Sequence, residues 1–173
     1  FHKVLKKTQL KINYKERMES IEQKDGGFLV TSSKASYFTR SVLLCIGRRG
    51  TPRKMEVPGE GMSKVVYRLI DPEQYKNQKV LVVGGGNSAL EAATSIAAEP
   101  GTTVTLSYRS EAFSRAAEEN RELVQKMQAK GKLNVLLKSE VKEVRTNSVM
   151  LEHKGKLNEI ANDAIIVAIG GVL

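Results

Sequence analysis

Lys79-Val-Leu-Val-Val-Gly84-Gly-Gly86-Asn-Ser88-Ala-Leu-Glu91-Ala-Ala93 is the stretch that decides the fold. Five residues of strand character stop at three glycines, and a helix-forming run begins at once. Read as G-x-G-x-x-A, Gly84, Gly86 and Ala89 stand where a dinucleotide-binding turn needs them. Gly84 permits the tight turn, Gly86 lets a pyrophosphate approach the backbone, and Ala89 keeps the helix close to its strand. The anion would rest on the free N–H groups and positive dipole of the helix N-terminus. Ser88 and Glu91 read in addition as a capping box for that helix.

The surrounding pattern predicts an α/β unit. A helix is expected over Ser88–Ala98, stopped by Pro100-Gly101, and a β-branched strand over Thr102–Ser107. A second helix is expected over Ser114–Ala129, with Ala116, Leu123, Val124 and Met127 on its apolar face and Gly131 as its C-cap. Leu133–Leu137 is a third strand. Val141–Arg145, Ser148–His153 and Lys156–Ile160 alternate as an antiparallel meander, and Asp163–Ile169 is a final strand ended by Gly170-Gly171.

Upstream, the chain reads as β-rich. Lys11–Tyr14, Met18–Gln23, Phe28–Ser32 and Tyr37–Arg40 are strand candidates, with a turn at Asp25-Gly26-Gly27. Ser41–Ile46 is expected to be a buried strand with Cys45 as a small core residue. Gly47–Pro52 and Pro58–Gly61 break all periodicity and read as a linker. Val65–Leu69 is a short extended piece, and Asp71–Tyr75 a turn or single helical turn. Ser41–Gly47 and Asp163–Gly170 echo each other, each an apolar strand running into Ile-Gly, and the dinucleotide unit lies between them. That arrangement fits a nucleotide domain inserted into another domain.

Composition narrows the function. The 173 residues carry 40% hydrophobic residues and a net charge of +9, and no apolar run approaches the ~20 residues of a membrane span. No signal peptide is visible, and the single cysteine cannot form an internal disulfide, so a cytoplasmic setting is expected. His2 and His153 have no cysteine companions, which argues against a metal site. The lysines are spread over many segments and only 5% of residues are aromatic, so nucleic acid is a weak candidate partner. A phosphate-rich cofactor or an acidic protein partner suits the charge better.

With these motifs in place, the chain resembles the thioredoxin-reductase-like branch of the two-dinucleotide-binding flavoproteins, pyridine nucleotide-disulfide oxidoreductases. Gly84–Glu91 resembles that family's G-G-G-x-S-A-x-E, and Ile46-Gly47 and Ile169-Gly170 resemble its two crossing turns. The resemblance covers residues 10–173. It implies an α/β fold: a Rossmann-like three-layer (β/β/α) NAD(P)H-binding domain at 63–170, with residues 1–48 a β-rich piece of an FAD domain. Residues 49–62 would be the hinge, and 171–173 the return crossing.

The same resemblance implies roles. The backbone at Gly84, Gly85, Gly86, Asn87, Ser88 and Ala89 would hold the pyrophosphate, and Gly170-Gly171 would lie near the nicotinamide. Tyr108 would stack on the adenine, while Arg109 and Arg115 would hold the adenosine 2′-phosphate in place of the family's His-Arg-Arg signature. An arginine at this strand end favours NADPH, with NADH the alternative that Glu111 would support. No catalytic acid or base is expected, since hydride transfer to flavin needs none from this domain. Ser63–Lys79 lacks the Cys-x-x-Cys of thioredoxin reductase, so dithiol exchange with thioredoxin is excluded. The nearer likeness is to disulfide-less ferredoxin–NADP reductases, with an acidic acceptor such as ferredoxin and a homodimer as the implied partners. No G-x-G-x-x-G flavin turn and no C-terminal Gly-Asp flavin segment occurs in these residues, so the chain is expected to be part of a longer flavoprotein, inactive by itself. The competing expectation is a nucleotide-sensing or assembly module without chemistry.

Overall fold

A computed structural model describes residues 11–45 and 51–172. The chain divides into two compact units, residues 1–48 and 49–173. The crossing turn expected at Ile46-Gly47 lies outside the described residues.

In the first unit β1 (Met18–Lys24), β2 (Gly27–Ser32) and β3 (Ser36–Thr39) form an antiparallel sheet in that order. Two expectations fail here. Lys11–Tyr14 is not a strand. It is tied down by side chains, with Asn13 Nδ2 donating to Tyr37 Oη at 3.0 Å and Lys34 Nζ to the Tyr14 carbonyl at 2.9 Å. Ser41–Cys45 is irregular rather than a buried strand: Leu43 is 87% exposed and Cys45 is exposed. An apolar run becomes a buried strand only when neighbouring strands pair with it, and none does so among the described residues.

The second unit contains β4 (Thr51–Pro52), β5 (Val65–Val66), a 3₁₀ turn (Pro72–Tyr75), β6 (Lys79–Val83), α1 (Asn87–Ala97) and β7 (Thr103–Tyr108). These are followed by α2 (Glu118–Ala129), β8 (Leu133–Leu137), β9 (Ser139–Val144), β10 (Ser148–His153), β11 (Lys156–Ala161), β12 (Ala164–Val167) and β13 (Gly171–Val172). A five-stranded parallel sheet has the order β5-β12-β6-β7-β8, and β9, β10 and β11 form a separate antiparallel sheet. The fold is α/β and Rossmann-like, with the parallel sheet as its central layer. Among the described residues no helix is long and apolar enough to cross a membrane.

The period of two along the central strands builds two cores. Val80, Val82 and Ile166 point to one face and pack with Ala89, Leu90, Ala93 and Ile96 of α1. Leu81, Ile165 and Val167 point to the other and pack with Val141, Val144, Val149 and Leu151 of the meander. Leu81, Leu90, Ile96, Leu151 and Ile165 are fully buried, each contributing about 1.5–3 kcal/mol of hydrophobic stabilisation.

The segment expected to be a linker at Pro58–Gly61 is tied down by hydrogen bonds. Glu60 accepts from the N–H groups of Met55 (2.6 Å) and Glu56 (2.7 Å) and from Tyr67 Oη (2.9 Å). The Val144 N–H donates to the Pro58 carbonyl at 2.8 Å. Thr51–Pro52 pairs antiparallel with Gly171–Val172, so residues near the two ends of this unit form a two-stranded ribbon.

Candidate functional site: the glycine turn at the sheet's switch point

The chain runs from β6 outward through β7 and β8, then returns to β12 on the opposite side of β6. The order therefore reverses between β6 and β12, and the crevice beyond their C-terminal ends is where open α/β sheets bind ligands. The glycine turn follows β6 and the Ala168–Gly171 segment follows β12. Gly84 sits at φ +145°, its N–H donating to the Ser107 carbonyl at 3.0 Å. A Cβ there would run into the Ala168 carbonyl and lie 2.9 Å from the Ala89 Cβ. Gly84 and Ala89 thus have the packing roles expected of them.

Gly85 is covered by the Tyr108 ring, which leaves no room for a side chain. That ring stacks with Phe113 at 5.4 Å and 19°, so Tyr108 packs against protein on at least one face. Gly86 is different. It has extended backbone at φ −96°, and a Cβ there would meet nothing within 4 Å. No positive φ demands glycine at 86. Its small size keeps a space open.

The capping box does not form. The N-cap of α1 is Gly86, with no side-chain hydrogen bond to the helix start. Ser88 lies within the first turn and is exposed. Glu91 instead accepts from Asn120 Nδ2 at 3.0 Å. Asn87 Oδ1 accepts from the Ala117 N–H at 2.6 Å and from Asn120 Nδ2 at 3.2 Å. This junction ties the first turn of α1 to the start of α2. It also explains why α2 begins at Glu118 and not at Ser114: the bond holds Ala117 at ψ 149°, outside helical geometry. Ala116 is buried ahead of the helix, and Leu123, expected on the apolar face, is 42% exposed. The Asn87 junction carries no sequence signature, because it joins a side chain to a backbone N–H 30 positions away and to Asn120, 33 positions away.

Arg109 follows directly on β7. It lines an open cavity of about 420 Å³ together with Glu111, Lys138, Glu140 and Glu152. Glu111 is ion-paired with Lys138, and that lysine's hydrogen bond holds the Glu111 carboxyl below the usual carboxylate range. Glu140 and Glu152 share Lys142 at 3.0 and 3.1 Å. Among the described residues Arg109 and Arg115 make no ion pair. Beneath Arg109, Ser107 Oγ is 2.7 Å from Ser139 Oγ in a buried pair linking β7 to β9. On the other side of the crevice, Gly170 has φ +98° and accepts from the Arg53 N–H at 3.0 Å, with open space at its Cβ position.

Known proteins share this layout. Ferredoxin–NADP reductase 1 of Christiangramia forsetii is 34% identical over 149 residues, covering 80% of this chain and 42% of that protein. Bacillithiol disulfide reductase of Staphylococcus aureus matches with a TM-score of 0.81 at 25% identity, over 98% of this chain and 52% of that one. Thioredoxin reductase of Lactococcus lactis matches with a TM-score of 0.71 at 26% identity, over 88% and 52%. The chain spans about half the length of the curated relatives it matches, 42% and 52% of the first two. The sequence model of the pyridine nucleotide-disulphide oxidoreductases matches residues 1–172, and the chain belongs to that family.

Proposed function

We propose that this chain carries the pyridine-nucleotide site of a flavin-dependent NAD(P)H oxidoreductase. The observation that carries the reading is the glycine turn at the switch point: an uncapped helix start with open space above Gly86. A pyrophosphate requires both free N–H donors and the absence of a Cβ. In this reading the backbone around Gly85–Ala89 holds the pyrophosphate through N–H groups ahead of Ala89, whose own N–H already donates to the Gly86 carbonyl at 3.0 Å, and Gly84 sets the turn. Arg109 and Arg115 hold a 2′-phosphate, and the adenine lies against the Tyr108–Phe113 pair. The nicotinamide reaches toward Gly170 and Gly171. Bound there, NADPH supplies a hydride for a flavin. The residues of this chain bind and orient, and none takes or gives a proton.

The flavin would be held by sequence outside these 173 residues, with residues 1–48 as part of that domain and 49–62 as the hinge. Exposed Leu43 and Leu44 suit such a role, since the apolar run Ser41–Cys45 would gain the neighbours it lacks. The acceptor is proposed to be an acidic electron carrier such as ferredoxin, which the net charge of +9 would attract. These 173 residues hold one cysteine, so no dithiol for exchange with thioredoxin lies among them.

Titration of the purified chain with NADPH and NADH tests the binding reading; absence of saturable binding of either defeats it. The flavin reading is tested on the longer parent protein. A parent that stays colourless after reconstitution with FAD removes it.

A further inference from the structure

Glu111 is the feature of the loop after β7 that works against a phosphate, because an acidic side chain near this strand end accepts from ribose hydroxyls. It is held by Lys138, whose backbone is fixed from both sides. The Lys138 N–H donates to the Ser110 carbonyl at 3.1 Å, and its carbonyl accepts from the Lys154 N–H at 3.2 Å. Lys138 stands at φ +52° in the corner between β8 and β9, and its ammonium is paired with the Glu111 carboxylate.

The charges around the cavity beside Arg109 are finely balanced. Arg109 and Lys138 line it with Glu111, Glu140 and Glu152, and Lys142, outside the lining, pairs with both Glu140 and Glu152. With Lys138 present the three cations offset the three carboxylates, and Arg109 makes no ion pair among the described residues. Without Lys138 the cavity becomes acidic, a setting that suits two ribose hydroxyls and repels a phosphate carrying up to two negative charges.

We propose that Lys138 is a specificity-determining residue: by pairing with Glu111 it keeps the cavity beside Arg109 receptive to a 2′-phosphate and so selects NADPH over NADH. The proposal rests on the reading of Arg109 as the phosphate ligand. Lys138 acts through Glu111 and does not itself touch the nucleotide. Because the pair is exposed on both sides, with relative accessibilities of 54% and 77%, it adds little to folding stability. Its effect belongs to ligand choice.

The test is a set of titrations of the whole chain with NADPH and with NADH at low ionic strength. Wild type is compared with Lys138→Gln, Glu111→Gln and the double variant, each checked by circular dichroism and melting temperature. In Lys138→Gln the preference for NADPH over NADH falls about tenfold, the size of one lost charge compensation. In the double variant most of it returns, because the carboxylate that needed compensating is gone. An unchanged preference in Lys138→Gln overturns the proposal, and so does a double variant as poor as the single one, since that result would make Lys138 a direct phosphate ligand. If wild type shows no preference for NADPH, the reading of Arg109 falls and this proposal with it. If wild type prefers NADPH and Lys138→Gln leaves the preference intact, only the role of Lys138 falls.

Discussion

Asn87 Oδ1 accepts a 2.6 Å hydrogen bond from the backbone N–H of Ala117, joining the first turn of one helix to the threshold of the next. The loop between Tyr108 and Ala117 carries Arg109 and Arg115, so this bond fixes one end of the segment proposed to grip the phosphate. Replacing Asn87 with alanine removes this bond and leaves the exposed Ala117 N–H to water, which should cost about 0.5–1 kcal/mol of stability. NADPH affinity should drop roughly fivefold as the loop loosens. Denaturant unfolding and nucleotide titration on the same variant check both numbers.

Gly84 and Gly86 should respond in opposite ways to the same substitution. Gly84→Ala forces a Cβ toward the Ala168 carbonyl from a φ that only glycine adopts comfortably, and should cost upward of about 2 kcal/mol. Gly86→Ala meets no protein atom, so the fold should survive with a near-normal melting temperature. Nucleotide affinity should then fall by about tenfold or more, because the methyl group occupies the pyrophosphate's approach. A Gly86→Ala variant that binds normally would move the pyrophosphate elsewhere.

Arg109→Ala should weaken NADPH by about tenfold and NADH far less, and the difference should shrink as salt is raised through the screening range. Parallel titrations at low and high ionic strength give the answer directly.

Glu60 makes the segment from Met55 to Tyr67 sensitive to acid. Burial pushes its carboxyl upward, but the hydrogen bonds from Met55, Tyr67 and Glu56 outweigh that and hold it below its ordinary value of 4.5. A depressed carboxyl contributes stability that is present above its unfolded value and is lost as pH falls through the folded one. Between pH 7 and 3 the wild-type chain should therefore lose stability more steeply than Glu60→Gln. At neutral pH the variant should be less stable by about 1 kcal/mol, a figure discounted for partial exposure. Melting temperatures across that pH range test whether the difference shrinks.

The central sheet was legible in the sequence because its residues obey local rules. Leu133–Leu137 and Lys79–Val83 are strands with the expected bounds, and Gly131 ends α2 at φ +67°. These signals need only the residue and its neighbours. Ser41–Cys45 misled for the opposite reason: burial belongs to whatever packs on a strand, not to the strand itself. Ser88 and Glu91 have capping-box spacing, yet the three glycines let the helix begin one residue earlier, and Glu91 turned to Asn120. The Asn87–Ala117 bond and the Lys138–Glu111 pair join residues 30 and 27 positions apart, so only the folded chain brings them together.

The ribbon formed by Thr51–Pro52 and Gly171–Val172 has a consequence for how such a unit can be moved about. Paired strands lie about 5 Å apart, so the two ends of residues 53–170 stand side by side. A module of that kind behaves as a cartridge. It can be spliced into a host loop at the entropic cost of a tight turn, because the host's own ends scarcely have to separate. Residues 53–170 are accordingly the segment to graft, permute or exchange between relatives, with the two-stranded ribbon kept as the connector.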